Sequence, residues 1–574
     1  MTLAGVRSRS PLDAAGQTAR RAGVLLAAEP RSIGRVRGEV VFLVAVAVLQ
    51  WLFLGGLIGS VTHNGWVFHQ GGDQTYFWTI AWLFGGGDLA EARIGYAWSL
   101  VETPFAWLAG PSWVDGLPWI MLLQTAVLLP LGLAAVYGIV KRLAGAPVAR
   151  LAAIAWVAVP YAVIPLWVDR YHERYVDQFL PQALGLTGMG DYPSMVIVLC
   201  AAYLVVRHMD EGELETALLA GLLVGFAVGV KPSNALFLVA PYLAFLLARR
   251  WRGAVAFSGA LVPALVTLAV WKQRGLGELP LFTLAREHAA AGLDAPAPPL
   301  GLSLERYVDL DWGHLRDNMV LFREYFWSRR VVEFLPFAGF LGAWRCSFPK
   351  AAFLVAWLAP FAVVKGSSSL ASMDSGSFLR LLMPAWPAYF LLAVCVLALI
   401  PVLGGRLRGT SLVRPNASRR VRRGTMLAAL FLAGVPLVVV ASLPPLQRPV
   451  AVHDPAANLY VPSDRFQVTA RAADGTVNLS WSPQRTGAAG VFYRVYRSPA
   501  EAGDGVECLS RSGAASQCLF RMDAIGSTRM GAFTDRPGPG GWSYRVAVDA
   551  NYQDNPESGD MIVLSRPVTV AVPG

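Results

Sequence analysis

The chain has 574 residues, of which 55% are hydrophobic and only 15% are charged. Apolar runs of about 20 residues recur along it, and this length crosses the hydrocarbon core of a bilayer as a helix, which excludes a soluble globular protein. The formal net charge of +11 does not require nucleic acid, because basic loops that face anionic lipid headgroups account for it.

In chain order, the apolar runs predict a polytopic α-helical membrane protein with about eleven transmembrane helices. Together they form a membrane domain over residues 39–443. The predicted spans are Val40–Val61, Leu117–Val140, Leu151–Val168, Tyr192–Val206, Thr216–Val230, Ala235–Leu247, Ala254–Trp271, Val331–Trp344, Ala351–Val364, Leu381–Leu403 and Met426–Leu443.

Arginine is concentrated before the first span and in alternate loops. Residues 1–38 contain seven arginines, and residues 404–424 contain seven more without any acid. Because basic loops stay on the cytoplasmic side, an alternating count puts both segments inside the cell. The long loops 62–116, 168–191 and 272–330 and the C-terminal region are then extracytoplasmic. The Ala/Arg/Gly-rich composition favours a bacterium, so we expect a bacterial cytoplasmic membrane.

The first long outer loop carries Asp73 within the run His69–Trp78, a few residues after the first span. A carboxylate at the membrane–water boundary can meet a lipid-borne substrate and act as a base. The alternative is an N-cap for the helix that follows it. That helix is predicted from the spacing of aromatic and aliphatic residues over 76–84, and a second from 97–105, both lying in the interface with their rings at headgroup depth.

Further acids lie in the outer loops. Glu102 interrupts an apolar stretch of the first loop, where an acid is costly unless it is paired or functional; a solvated helix face is the alternative. Asp169, Asp177 and Asp191 compete as the acid of the second loop. The apolar neighbours of Asp177 favour a half-buried setting, so we assign the role to Asp177.

Cations suited to a phosphate lie in the same loops. Arg380 opens the tenth span at its outer end, where a guanidinium can hold a lipid-linked phosphate through two hydrogen bonds. Lys231 occupies an outer turn between two spans, and Arg170 and His172 lie in the second outer loop. Long basic side chains at helix ends also extend to the interface without any ligand, which is the alternative for each of them.

After the last span the composition changes. Prolines 444, 445 and 449 make a stiff linker over residues 444–463. Residues 464–574 alternate apolar and polar positions between Gly/Pro/Asp turns, which predicts an all-β sandwich. Cys508 and Cys518 lie in this domain and can form one disulfide in an oxidising compartment.

The long acidic first loop, its aromatic helices, the second acidic loop and the run Arg380–Pro387 together resemble the GT-C superfamily of glycosyltransferases. The nearest branches by feature are the protein mannosyltransferases, aminoarabinose transferases and actinobacterial arabinosyltransferases. This resemblance implies that Asp73 is the catalytic carboxylate and that Arg380 and Lys231 bind the donor phosphate. The C-terminal domain resembles a fibronectin type III domain, on Trp481 and Tyr544.

The resemblance implies an inverting enzyme that moves a sugar from a polyprenyl-phosphate donor to a hydroxyl of a glycan, protein or lipid acceptor. Asp73, Glu102 and Asp177 would be its catalytic acids. No zinc-type ligand spacing occurs, although Asp73 with Glu102 is a candidate pair for Mg²⁺ or Mn²⁺. The alternatives are a transporter or flippase of a lipid-linked glycan, which would place its charges in mid-bilayer, and a non-catalytic membrane scaffold.

Overall fold

The computed structural model describes most of the chain in separate segments. The membrane domain is described over residues 37–58, 73–90, 92, 94–110, 113–167, 183–276, 310–325, 331–369, 371–373, 377–400 and 419–444. The C-terminal region is described over residues 451–452, 459–460, 462–463, 466–482, 491–502, 506–509, 517–520, 522–550 and 560–573.

The membrane domain is helical over most of its described residues. In chain order its α-helices are α1 (Arg37–Ile58), α2 (Asp73–Gly85), α3 (Ala97–Ala109), α4 (Trp113–Leu123), α5 (Leu129–Ala144), α6 (Ala146–Trp167), α7 (Asp191–Glu211), α8 (Leu214–Val230), α9 (Val239–Leu247), α10 (Trp251–Leu276), α11 (Trp312–Tyr325), α12 (Val331–Cys346), α13 (Phe348–Pro360), α14 (Ser377–Leu381), α15 (Trp386–Cys395), α16 (Arg419–Ala429) and α17 (Val435–Ser442). Short π and 3₁₀ turns join several of them into longer rods, among them Gln124–Leu128 between α4 and α5 and Phe361–Lys365 after α13.

Each of the eleven predicted spans overlaps one of these rods, so the polytopic helical fold is confirmed. Six helices of the described residues are long and apolar enough to cross a membrane, and four shorter apolar helices accompany them. Their lipid-facing positions carry large exposed side chains such as Leu52, Val255 and Phe337. Small residues allow close packing where helices cross, because a Cβ at Gly221 of α8 would lie 2.4 Å from the Phe257 carbonyl oxygen of α10.

The helices predicted at 76–84 and 97–105 are present as α2 and α3, but most of their rings are buried against protein. Trp78 is fully buried and Trp98 is 2% exposed. The two helices pack on each other, and α2 also contacts the C-terminal region, so protein covers the faces that were expected to meet lipid. Trp107, at the end of α3, is 73% exposed and is the exception.

The described part of the C-terminal region consists mainly of β-strands, the first of which are the two-residue strands β1 (Ala451–Val452), β2 (Leu459–Tyr460) and β3 (Pro462–Ser463). Its antiparallel strands β4 (Val468–Ala473), β5 (Thr476–Trp481) and β10 (Ala532–Asp535) form one sheet in the order β10-β5-β4. A second sheet contains β9 (Asp523–Thr528), β6 (Val491–Pro499), β11 (Gly540–Ala550), β12 (Asp560–Ser565) and β13 (Val568–Val572). Trp481 and Tyr544 are both buried between them. The fibronectin type III assignment stays a prediction.

The two predicted disulfide cysteines lie on a small hairpin of this region. The strands β7 (Val506–Leu509) and β8 (Gln517–Phe520) pair antiparallel, and Cys508 and Cys518 occupy directly opposed register positions. Directly opposed residues in an antiparallel pair have Cα atoms about 4.5–5.5 Å apart, which is within the range that a disulfide bridges. The register is therefore compatible with the predicted bond.

Helix α7 is long enough to cross the core of a bilayer. Its 21 residues are about 30 Å long, roughly the thickness of a bilayer core. At its C-terminal end Arg142 pairs with Glu211 at 2.6 Å, and Lys350 pairs with Asp210 at 2.7 Å. Arg142 follows the predicted span Leu117–Val140, in a loop that the alternating count puts inside the cell. This end of α7 therefore corresponds to the inner side, and the opposite end holds the acid Asp191.

Candidate active site

Asp73 and Arg380 meet at the end of the membrane domain that holds Asp191. Arg380 Nη2 donates to Asp73 Oδ2 at 2.9 Å. The Asp73 side chain is 38% exposed and the Arg380 side chain is 31% exposed. The structure thus brings together two residues that were named separately from the sequence, and the acid of the pair is open to a substrate.

Asp191 and Lys231 lie in the same network. Arg380 Nε is 3.7 Å from Asp191 Oδ2, and Lys231 Nζ donates to Asp191 Oδ1. The Asp191 side chain is only 3% exposed, whereas that of Lys231 is 23% exposed. Asp191 is therefore the buried anchor of the network, and Asp73 is its accessible acid.

Each charge of the network lies at the helix end that stabilises it. Asp73 and Asp191 are the first residues of α2 and α7, where the partial positive charge of the helix N-terminus favours a carboxylate. Lys231 follows the last residue of α8, and Arg380 lies in the last turn of α14, where the negative helix end favours a cation. Four helix termini converge, and the backbone dipoles agree with the side chains.

A segment ahead of α7 fixes the position of Asp191. Within residues 184–190, the Gly188 backbone N–H donates to Gln74 Oε1 at 2.7 Å, and the Gly188 carbonyl accepts from Trp98 Nε1 at 3.2 Å. Gln74 directly follows the site acid on α2, and Trp98 lies on α3. The first and second outer loops are thereby joined by buried hydrogen bonds beneath the site.

A buried asparagine holds the turn that carries Lys231. Asn234, which is fully buried, donates through Nδ2 to Ser194 Oγ and to the Ala227 carbonyl, the latter at 2.7 Å. Ser194 lies in the first turn of α7. The side chain of Asn234 thus ties the lysine turn to the helix of its acid partner.

Two tryptophans fix the segment around Arg380. Trp386 Nε1 donates to the Leu379 carbonyl at 3.0 Å, and Trp357 Nε1 donates to the Pro384 carbonyl at 2.9 Å. The Leu379 carbonyl lies in α14, and the Pro384 carbonyl lies in the break between α14 and α15, where proline prevents a continuous helix. The rings satisfy carbonyls that the break leaves without helical partners.

The charge of Arg380 is secured by its neighbours. Burial opposes the charged form of its guanidinium, but the carboxylates of Asp191 and Asp73 outweigh this effect and raise its pKa above the ordinary value. The Arg380 side chain therefore stays positively charged.

Lys365 is a site residue that the sequence reading missed. It ends the π turn after α13 and lies close enough to Lys231 for the two ammonium groups to repel each other. Within the described residues no carboxylate pairs with it. Position 365 carries no local motif, and only its place at the outer end of a predicted span could have drawn attention to it.

Glu102 lies outside this network. Its side chain is fully buried within α3, and neither of its carboxylate oxygens has a hydrogen-bond partner among the residues that the structure describes. Burial raises its pKa well above the ordinary value of 4.5, with a smaller opposing effect from Trp98. The expectation of a catalytic or metal-binding carboxylate at this position finds no support in its surroundings.

The remaining candidates of the second loop, Asp177, Arg170, His172 and Asp169, lie outside the described residues. Asp191, one of the three acids that compete for this role in the sequence but not the preferred one, is the acid that Arg380 links to Asp73. The described part of the chain holds no group of three His, Cys, Asp or Glu residues able to bind a metal ion.

The network has the groups that a transfer from an anionic carrier requires. One accessible carboxylate can accept a proton, and the cations beside it can hold a phosphate. All of them lie at one end of a helical membrane domain, where a lipid-borne phosphate would be found.

Comparison with known proteins gives matches only among solved structures. No protein-family model and no curated protein matches the chain. ArnT from Cupriavidus metallidurans matches 71% of this chain and 76% of its own length, at 16% identity and a TM-score of 0.40. AglB, an oligosaccharyltransferase from Archaeoglobus fulgidus solved with an inhibitory peptide and a dolichol-phosphate, matches 69% of this chain at 12% identity and a TM-score of 0.39. This chain spans 55% of the length of AglB.

Proposed function

We propose that the protein is an inverting membrane glycosyltransferase, which moves one sugar from a polyprenyl-phosphate donor to a hydroxyl of a glycan, protein or lipid acceptor. The observation that carries the proposal is the accessible Asp73 carboxylate, which Arg380 links to Asp191 and its partner Lys231; Lys365 lies near Lys231. A base and a phosphate site within one cluster are what this transfer needs.

The donor phosphate would lie against Lys231 and Lys365. The two lysines repel each other, and the acids of the described cluster do not pair with Lys365, so an anion placed between the ammonium groups lowers the electrostatic energy of the site. Counted together, Lys231, Lys365 and Arg380 exceed Asp73 and Asp191 by one positive charge. A phosphodiester that links a sugar to a lipid carries one negative charge and neutralises this excess.

Asp73 would act as the general base. Its Oδ2 is oriented by Arg380, which leaves Oδ1 to accept the proton of the acceptor hydroxyl. The acceptor oxygen forms a bond to the anomeric carbon while the bond from that carbon to the phosphate oxygen breaks. The electron pair leaves with the polyprenyl phosphate, which stays lipid-bound. One displacement inverts the anomeric configuration and needs no second carboxylate as nucleophile.

The position of the cluster favours a lipid carrier over a nucleotide sugar. The cluster lies at the end of helices that cross the membrane, and the sequence contains no P-loop or Rossmann glycine pattern. We assign the site to the extracytoplasmic face of a bacterial cytoplasmic membrane, since the basic residues at the other end of α7 follow the positive-inside rule.

The test is transfer by the purified full chain in liposomes, with a panel of polyprenyl-phosphate sugars and with product and residual donor both measured. Wild-type protein should consume one donor, and Asp73→Asn should lower the rate by about 10²–10⁴-fold, the usual contribution of a positioned base. Asp474→Asn, at an exposed turn of the β region, is the matched control and should behave as wild type. Movement of a labelled lipid-linked glycan across the bilayer without any product would support a flippase and contradict the proposal.

A further inference from the structure

We propose that Arg380 takes, between Asp73 and Asp191, the place that a divalent cation occupies where paired carboxylates share a metal, so that the site works without Mg²⁺ or Mn²⁺. The inference rests on the proposed function for its catalytic consequence, but its structural part concerns only the two acids and their cation.

The guanidinium reaches both acids. Its Nη2 atom is 2.9 Å from Asp73 Oδ2 and its Nε atom is 3.7 Å from Asp191 Oδ2. The second oxygen of Asp191 accepts from Lys231. Three of the four carboxylate oxygens therefore already face a protein cation, and within the part of the chain that the structure describes only Asp73 Oδ1 does not.

The residues present do not fit a hard divalent cation. Mg²⁺ requires near-octahedral oxygen ligands and usually binds through one or two carboxylates that are free to turn towards it. Asp191 is 3% exposed and pairs with Lys231 through one oxygen, so it cannot turn without breaking a buried ion pair. Glu102, the other acid considered for a metal, is fully buried outside the network.

The net charge of the site also disfavours a divalent cation. With Lys365 included, the three cations already exceed the two carboxylates. A divalent ion would bring two more positive charges next to Arg380, at a distance where like charges repel strongly in a half-buried site. The arginine instead supplies one positive charge in a fixed planar geometry, and it cannot be removed by a chelator.

The bridge also gives Arg380 a role different from the one expected from the sequence. A guanidinium engaged with two carboxylates orients the base and joins the first outer loop to the second. Arg380 then acts as a positioning residue, and Lys231 and Lys365 bind the phosphate. Lysine in its place could reach one acid but could not bridge both through separate nitrogen atoms.

Two measurements on the purified full chain test the inference. In liposomes, sugar transfer should change by less than about twofold when EDTA is added or when Mg²⁺ or Mn²⁺ is supplied, a difference under about 0.5 kcal/mol. In detergent, electron paramagnetic resonance should show no saturable Mn²⁺ binding to wild type. Arg380→Ala should gain Mn²⁺ binding, because it frees two carboxylate oxygens, whereas Arg380→Lys should gain less.

Loss of transfer in EDTA with recovery in Mn²⁺ would overturn the inference. So would saturable Mn²⁺ binding by wild type that Asp73→Asn abolishes. If Arg380→Ala does not fold, Arg380→Gln serves the same purpose, because it keeps most of the side-chain volume. Should the protein transfer no sugar at all, the proposed function fails, yet the Mn²⁺ titration still decides whether the two acids form a metal site.

Discussion

Asp73 and Arg380 are 307 positions apart in the chain, and their Oδ2 and Nη2 atoms are 2.9 Å apart. The contact joins the first outer loop to the last turn of α14. Because the same guanidinium also faces Asp191, one side chain links three distant segments. The accessible acid is thereby oriented by residues that no local pattern relates to it.

The two acids should respond differently to neutralisation. Asp191→Asn leaves Lys231 without its buried partner, and breaking such a pair costs about 3–5 kcal/mol, so we expect a clearly lower midpoint of unfolding. Asp73→Asn removes a pair that is about one-third exposed, which costs less than about 1 kcal/mol. Thermal unfolding in one detergent, followed by tryptophan fluorescence, measures both. Equal midpoints for the two variants would contradict the assignment of Asp191 as the anchor.

Lys365→Gln should weaken the donor site while the fold is kept. Removing one of two neighbouring ammonium groups should raise the KM for donor by about tenfold, equivalent to about 1.4 kcal/mol, with a smaller change in kcat. Steady-state kinetics in liposomes measure both constants. Arg252→Gln removes an exposed charge at the opposite end of the domain and is the matched control. An unchanged KM in Lys365→Gln would exclude a role in donor binding.

Glu102→Gln should be active, because a neutral carboxyl and an amide have nearly the same shape. Burial raises the pKa of Glu102 above 4.5, so the folded state binds a proton that the unfolded state releases. The protein therefore loses stability as the pH rises from about 4.5 through the raised pKa. The Gln variant lacks this loss, and its unfolding midpoint should fall less between pH 5 and pH 8. A hundredfold loss of transfer with an unchanged midpoint would instead return Glu102 to the catalytic residues.

Asn234→Ala should disturb the lysine turn without touching substrate. The change removes the partner of the buried Ser194 hydroxyl, at about 1–3 kcal/mol, whereas the Ala227 carbonyl still accepts from the Lys231 backbone N–H. We expect a lower unfolding midpoint together with a raised KM for donor, since Lys231 loses its support. Asn234→Asp keeps the side-chain size but replaces the amide with a carboxylate. Asn234→Gln keeps the amide group and tests whether that group restores the wild-type KM. An unchanged KM and kcat in Asn234→Ala would show that the turn around Lys231 does not depend on the Asn234 side chain.

The membrane fold could be predicted because its signal is local. An apolar run of about 20 residues has one stable solution in a bilayer, and each of the eleven runs overlaps a helical rod of the structure. The β region was equally readable from alternation and turn residues. The faces of α2 and α3 were assigned to lipid, because sequence spacing shows that a face is apolar and does not show what will cover it.

The site could be predicted in part. Asp73, Lys231 and Arg380 stood out because each is a charge at the end of an apolar run, where a charge is costly without a partner or a task. Asp177 was preferred over Asp191 on the polarity of its neighbours alone, and Lys365 was not noticed. The partners of Asp191 lie 40 and 189 positions along the chain, and no periodicity carries that information.

The amino-acid sequence by itself determined the spans, the sidedness expected of them and the residue types that could perform transfer. Bilayer thickness and backbone hydrogen bonding act on every short segment independently. Those features can therefore be predicted from the local sequence. Only the tertiary structure decided which acid is accessible, which is anchored and which cation joins them. Those outcomes depend on where four helix ends converge, and their meeting follows from the packing of the whole domain.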